Sequence, residues 1–146
     1  MPVYLWLLGK ALNRVLPKFT RRHGMDVSGL SRDPSVLESL YADPLTHGKA
    51  TPRLAIEATR AIERVDRDAG RLSVPSLLLH GSADRLVECG GTREFASRAP
   101  CHIRTYHEYE GGYHELFNDT IQEKVLDDTI QWLAPRLISA PAETRA

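Results

Sequence analysis

The chain has 146 residues, of which 26% are charged and 42% apolar, as is usual for a globular domain. Basic and acidic residues both number 19, so the net charge is zero, and we expect no nucleic-acid partner. Its two cysteines lack the spacing of a zinc site or of a disulfide scaffold, which predicts reduced thiols in a cytoplasmic protein.

The N-terminal stretch predicts a helix over residues 3–16, ended by Pro17. It is too short to span a bilayer, and residues 1–8 lack the basic start and the cleavage site of a signal peptide. Because this helix is apolar nearly all round, weak contact with a membrane surface stays open as an alternative to simple packing.

Two helices headed by proline are predicted next. Residues 18–33 form a loop by composition. An N-cap followed by proline at residues 33–34 then starts a helix to about Tyr41, and the same signal at residues 51–52 starts a helix to about Arg71. The predicted inward face of the second helix consists of Leu54, Ala58, Ala61, Ile62 and Val65. The first 70 residues are therefore expected to hold no strand.

The pattern then alternates between strand and helix. Residues 75–80 and 102–108 read as strands, residues 91–98 as a helix, and a final helix extends to about Leu137. The capping-box-like start of this last helix is assigned to Asp119 and Gln122, and its inward side chains to Ile121, Val125, Ile130, Leu133 and Leu137. A βαβα order predicts an α/β fold with parallel strands.

Two polar side chains follow the two predicted strands. Asp84 lies in a G-S-A-D turn after the first strand, and His114 lies in a G-G-Y-H-E loop after the second. Because the carboxyl ends of parallel strands share one edge, these side chains can converge there. A carboxylate that orients a histidine base is part of a catalytic triad, so we hypothesise that Asp84 and His114 are two of its members.

Simpler explanations exist for each residue. Turn chemistry alone accounts for Asp84, and a bond to backbone accounts for His114. His80 is expected to be a structural residue at the end of its strand. The segment H-E-x-x-N from His114 lacks the second histidine of a zinc protease, so we expect no metal and no cofactor.

The motifs resemble those of a known family. Residues 78–87 (L-L-H-G-S-A-D-R-L-V) resemble the acid loop, and residues 113–115 (Y-H-E) the histidine loop, of α/β-hydrolases of the monoacylglycerol lipase and lysophospholipase type, in the serine aminopeptidase S33 group. Residues 43–45 (D-P-L) with Gly48 and Lys49 resemble a signature of that family's helical cap. The resemblance implies that Asp84 is the triad acid and His114 the base.

The resemblance also implies a partial α/β-hydrolase fold. Residues 1–72 would form the end of the helical cap, residues 73–138 the last two parallel strands with their helices, and residues 139–146 a disordered tail. No serine of the chain lies in the family's nucleophile motif, G-x-S-x-G, and its oxyanion-hole segment is also missing.

The expected function is that of the C-terminal part of a serine ester hydrolase, acting on small monoacylglycerol- or lysophospholipid-like substrates. Without a nucleophile the chain is expected to be inactive alone. The alternative is an inactive remnant, or an interaction module that needs a partner chain. Strand 75–80 is apolar on both faces, so an unpaired edge would promote self-association or the need for a missing half.

Overall fold

The computed structural model describes residues 3–138 except residues 17, 23 and 25, and only the backbone of residues 3, 5–8 and 138. The predicted tail and the apolar side chains of residues 5–8 lie outside the described residues. No helix in this described part is long and apolar enough to cross a membrane.

Three helices make up most of the N-terminal region, and all three begin where the sequence predicts. They are α1 (Val3–Val15), α2 (Pro34–Ala42) and α3 (Pro52–Asp68). The Asp33 carboxylate accepts a hydrogen bond from the N–H of Ser35 (2.9 Å), which caps α2. The Thr51 hydroxyl caps α3 by accepting from the N–H of Leu54 (3.1 Å). The domain boundary near residue 72 stays a prediction.

The N-terminal region also contains two very short strands. β1 (Arg21–Arg22) pairs antiparallel with β2 (Lys49–Ala50), with Arg22 opposite Lys49. The prediction that the first 70 residues hold no strand is therefore wrong. Two residues per strand are too few to leave an alternation of apolar and polar positions in the sequence.

The C-terminal region follows the predicted βαβα order. β3 (Ser76–Gly81) is followed by α4 (Cys89–Arg98), β4 (Arg104–Tyr109) and α5 (Gln122–Ile138). β3 and β4 are parallel, in a register that pairs Ser76 with Arg104 and Gly81 with Tyr109. The predicted parallel pairing is confirmed. Both strands end at the same edge, which brings the turn after β3 beside the loop after β4.

A cluster of buried apolar side chains lies between the end of β4 and α5. Tyr109, Leu116 and Val125 form this core, with Leu79 and Ile121 packed against it. Leu116 lies two residues after His114, so the core holds the loop that carries His114 in place.

The predicted inward faces of two helices are only partly correct. Val125 of α5 is fully buried, but other members of the two faces are exposed, namely Leu54, Ile62, Val65, Ile130, Leu133 and Leu137. A periodic apolar stripe indicates which face of a helix can be buried, and it does not supply the element that covers it. Among the described residues β3 pairs with β4 alone, so one edge of β3 is unpaired.

Candidate active site

Asp84 lies in a tight turn directly after β3. Its Oδ1 atom accepts hydrogen bonds from the backbone N–H groups of Leu86 (2.8 Å) and Val87 (3.0 Å). Its side chain is 2% exposed. The turn therefore fixes one carboxylate oxygen and leaves the other, Oδ2, available to a second partner.

That partner is His114. Its Nδ1 atom lies 2.8 Å from Oδ2 of Asp84, and its side chain is 38% exposed. Because an ionised carboxylate only accepts hydrogen bonds, the proton lies on Nδ1. The Nε2 atom has no hydrogen-bond partner among the described residues, so the basic nitrogen is open to an external group.

The surroundings keep Asp84 ionised. Burial raises the pKa of its carboxyl, but hydrogen bonds from Val87, His114 and Leu86 outweigh burial and lower the pKa below its ordinary value. Asp84 is therefore a carboxylate at neutral pH. It can hold the neutral imidazole of His114 and stabilise the imidazolium that forms when Nε2 takes a proton.

The turn after β3 and the loop after β4 are joined by hydrogen bonds. Ala83 donates from its N–H to the carbonyl of Gly112 (3.0 Å), and the N–H of Gly111 donates to the hydroxyl of Ser82 (2.9 Å). Gly111 has a φ of 66°, a conformation that favours glycine. These contacts hold Asp84 beside His114, although thirty residues of sequence separate the two.

His80 lies at the end of β3 and contacts the same turn. Its Nδ1 atom is 2.7 Å from the hydroxyl of Thr92, and its Nε2 atom is 3.0 Å from the carbonyl of Val87. The Nε2 atom is also 3.2 Å from Oδ2 of Asp84. His80 is buried and satisfied by protein groups, as expected of a structural residue.

The sequence reasoning missed a third segment, Ser28–Arg32, which we call the strap. Its carbonyls at Gly29 and Leu30 accept from the N–H groups of His114 (3.4 Å) and Glu115 (2.8 Å). Arg85 donates to the carbonyl of Ser28 (2.9 Å), which ties the strap to the turn of Asp84. By composition these residues read only as loop, and no motif in them indicates a contact with the histidine loop.

Asp119 is the partner of the last strap residue. Its carboxylate forms a salt bridge with Nε of Arg32 (3.0 Å), and its Oδ2 accepts from the N–H of Tyr113 (2.8 Å). The predicted capping-box role of Asp119 with Gln122 is wrong. The carboxylate instead bonds Arg32, Tyr113 and the adjacent Thr120, while Gln122 donates to the main-chain carbonyl of Asp119 (2.9 Å).

An open cavity of about 270 Å³ is lined in part by His114. Leu79, Leu116 and Phe117 contribute its apolar wall, and Glu115 and Asn118 its polar part. No serine among the described residues forms a hydrogen bond with His114. The site therefore combines an oriented histidine, a buried carboxylate and an adjacent apolar surface.

Comparison with known proteins identifies the family. The serine aminopeptidase S33 family matches residues 1–121. A monoacylglycerol lipase of Mycolicibacterium smegmatis is 32% identical over 131 residues, which are 89% of this chain and 46% of that protein. A monoglyceride lipase of Rattus norvegicus is 35% identical over 139 residues, which are 93% of this chain and 46% of that protein.

A solved structure is similar as well. The crystal structure of Paleococcus ferrophilus monoacylglycerol lipase superposes with a TM-score of 0.84 at 30% identity, covering 92% of this chain and 53% of that one. The chain thus spans about half the length of the curated relatives it matches. The chain belongs to the serine aminopeptidase S33 family and has a partial α/β-hydrolase fold.

Proposed function

We propose that this chain supplies the acid and the base of a catalytic triad that hydrolyses carboxylic esters of the monoacylglycerol or lysophospholipid kind. The observation that carries the proposal is the 2.8 Å contact between Nδ1 of His114 and the buried carboxylate of Asp84, with Nε2 left open. The names of the relatives support the monoacylglycerol part of this substrate class, and the apolar wall of the cavity beside His114 suits an acyl chain.

The nucleophile would be a serine in the family's G-x-S-x-G motif, which this sequence does not contain. Nε2 of His114 takes the proton of the serine hydroxyl as its oxygen attacks the ester carbonyl. The tetrahedral intermediate expels the alcohol, which receives that proton from Nε2, and an acyl-enzyme remains. Water, activated by the same nitrogen, then releases the fatty acid. Asp84 stabilises the imidazolium in both halves of the reaction.

A chimeric enzyme tests this proposal. The part of the Mycolicibacterium smegmatis lipase that matches this chain is replaced by the chain, and hydrolysis of a monoacylglycerol is measured. We expect an active chimera in which His114→Ala lowers kcat by about 10⁶-fold. Near-normal hydrolysis by His114→Ala would refute the role of this residue. Without the remainder of the lipase, the chain is expected to stay unlabelled by a fluorophosphonate probe.

A second candidate function is that of an interaction module that completes another chain. It is favoured by the unpaired edge of β3 and by the exposed apolar side chains of α5, Ile130 and Leu137. Size-exclusion chromatography with light scattering tests it. Self-association, or a dependence on an added N-terminal part, supports this candidate, whereas a monodisperse monomer contradicts it.

The location we propose is the cytoplasm, with weak membrane-surface contact through the apolar start of the chain. Cys89 and Cys101 are both free thiols, which suits a reducing compartment. Cell fractionation combined with binding to vesicles of neutral phospholipid tests both points. A stable association with vesicles that persists at high salt would indicate apolar contact.

A further inference from the structure

The loop that carries His114 enters through Gly111 and Gly112, whose backbone groups form hydrogen bonds with Ser82 and Ala83 in the turn after β3. A glycine pair permits many backbone conformations, so the loop needs anchors elsewhere to hold a side chain in place. Asp84 contacts only the imidazole ring. Beyond the glycine pair, the anchors of the loop's main chain are the carbonyls of the strap and the carboxylate of Asp119.

Asp119 joins both ends of this loop. Its Oδ2 atom accepts from the N–H of Tyr113 (2.8 Å), the residue before His114, and its Oδ1 atom accepts from the N–H of Thr120 (2.8 Å). The side chain of Asp119 is fully buried. One carboxylate therefore closes the loop into a ring that holds His114 between its two tethered ends.

Arg32 supplies the positive charge that this buried carboxylate requires. Its Nε atom lies 3.0 Å and 3.1 Å from the two oxygens of Asp119, and its backbone N–H donates to Oδ1 (3.0 Å). Charge-assisted bonds of this kind are stronger and more directional than neutral ones. The pair also fixes the strap, whose carbonyl at Gly29 accepts from the N–H of His114 itself.

A second contact reinforces the arrangement. Two guanidinium groups lie over the ring of Tyr113, that of Arg32 at 5.9 Å and that of Arg85 at 5.0 Å from its centroid. Arg85 adjoins Asp84 in sequence and bonds the strap at Ser28. The acid turn, the strap and the histidine loop are thus linked through Tyr113.

We infer that Asp119 and Arg32 are positioning residues for His114: their ion pair sets the main chain of the histidine loop so that Nδ1 meets Asp84 and Nε2 faces outwards. The inference rests on the proposed function of Asp84 and His114, whose ring geometry the pair would serve. Neither Asp119 nor Arg32 forms a hydrogen bond with the imidazole itself, so both would act through the backbone.

The tautomer of His114 reports this role directly. Nitrogen-15 NMR of the labelled chain measures the ratio of the Nδ1–H to the Nε2–H form of the neutral ring. In the wild type we expect the Nδ1–H form to predominate. Asp119→Asn keeps the size of the side chain and removes its charge, and it is expected to lower the ratio about tenfold, as loss of a hydrogen bond to a charged group would.

Arg32→Gln is a milder second variant, since it keeps the backbone N–H that bonds Asp119. We expect it to lower the ratio as well, by a smaller factor. The matched control is Asp66→Asn, which likewise removes the charge of an aspartate paired with an arginine, here Arg98 at the end of α4. This control should leave the ratio unchanged.

The outcomes separate this inference from the proposed function. If Asp119→Asn and Arg32→Gln fold and keep the wild-type ratio, the inference is wrong. If both fail to fold, it is also wrong, because the pair is then a general stabiliser. Asp84→Asn is measured in parallel: an unchanged ratio there would refute the pairing of Asp84 with His114 and with it the proposed function. An inactive chimera would leave the tautomer result, and so the positioning role, intact.

Discussion

The backbone of Gly81 lies directly against the backbone of Gly112, where the turn that carries Asp84 meets the loop that carries His114. A Cβ atom added to Gly81 would lie 2.5 Å from the carbonyl oxygen of Tyr113 and closer still to the carbonyl of Gly112. Backbone groups cannot rotate away as a flexible side chain can. The close approach of the two segments therefore requires glycine at position 81.

Gly81→Ala is accordingly expected to lower the free energy of unfolding by about 3 kcal/mol, since the two segments must separate to admit the methyl group. The measurement is the urea midpoint of unfolding. Gly91→Ala is the matched control, because nothing lies within 4 Å of its Cβ position in α4. There we expect a gain of about 0.5 kcal/mol from helix propensity. Equal stability of Gly81→Ala and wild type would contradict the close packing.

Asp84→Asn tests the role of the carboxylate in catalysis. In the active chimera we expect kcat to fall about 10⁴-fold, since the amide neither stabilises the imidazolium nor maintains the Nδ1–H tautomer. Asp43→Asn is the control, because the Oδ1 of Asp43 likewise accepts from the N–H two residues on (2.8 Å), while Asp43 forms no hydrogen bond with a histidine. A comparable loss in both variants would mean that turn chemistry alone explains Asp84.

The Asp119 carboxylate makes stability depend on acid pH. Burial raises its pKa, but the bonds from Arg32, Tyr113 and Thr120 outweigh burial and lower it to about 2. The folded state therefore releases this proton more readily than the unfolded state does. The contribution of Asp119 to stability is complete above about pH 4 and is lost as the pH falls to about 2.

Urea unfolding at a series of pH values between about 5 and about 2 measures this loss. Asp119→Asn should be less stable at neutral pH, by about 3 kcal/mol, because it leaves Arg32 without its partner. It should also show a shallower decline in acid than the wild type. If the stability of both proteins declined equally as the pH falls, Asp119 would not be the source of this pH dependence.

The Tyr109 hydroxyl makes the stability of the fold depend on pH in the alkaline range. Burial and its hydrogen bond to Asp128 (3.0 Å) raise the pKa of the Tyr109 hydroxyl to about 12. The folded state retains the proton more strongly than the unfolded state, so stability falls as the pH rises from about 10 to about 12. Tyr109→Phe should flatten this decline and reduce stability at neutral pH by about 1 kcal/mol. Tyr41→Phe, at an exposed position, should leave the decline unchanged.

Sequence reasoning found the parts of the site whose signals are local. Asp84 and His114 each follow a strand in a recognisable turn motif, and the parallel order of β3 and β4 predicts that they meet. Proline-headed starts likewise located α2 and α3, because capping depends only on neighbouring residues.

The features that the sequence did not predict depend on partners far away in the chain. Asp119 precedes a helix by three residues and so resembles an N-cap, yet its carboxylate forms a salt bridge with Arg32. The exposed face of α5, with Ile130 and Leu137, was predicted to be inward because periodicity does not show whether a covering element exists. Neither outcome could be decided from the surrounding ten residues.

The bonds from Ser31 and Arg32 to Asn118 and Asp119 each span 87 positions of sequence. Closing so long a loop is entropically unfavourable, and contacts of large sequence separation form slowly. The β3–α4–β4 unit relies on much nearer partners. During refolding we therefore expect helix and strand to appear first and the environment of His114 to mature in a later kinetic phase, when the strap arrives.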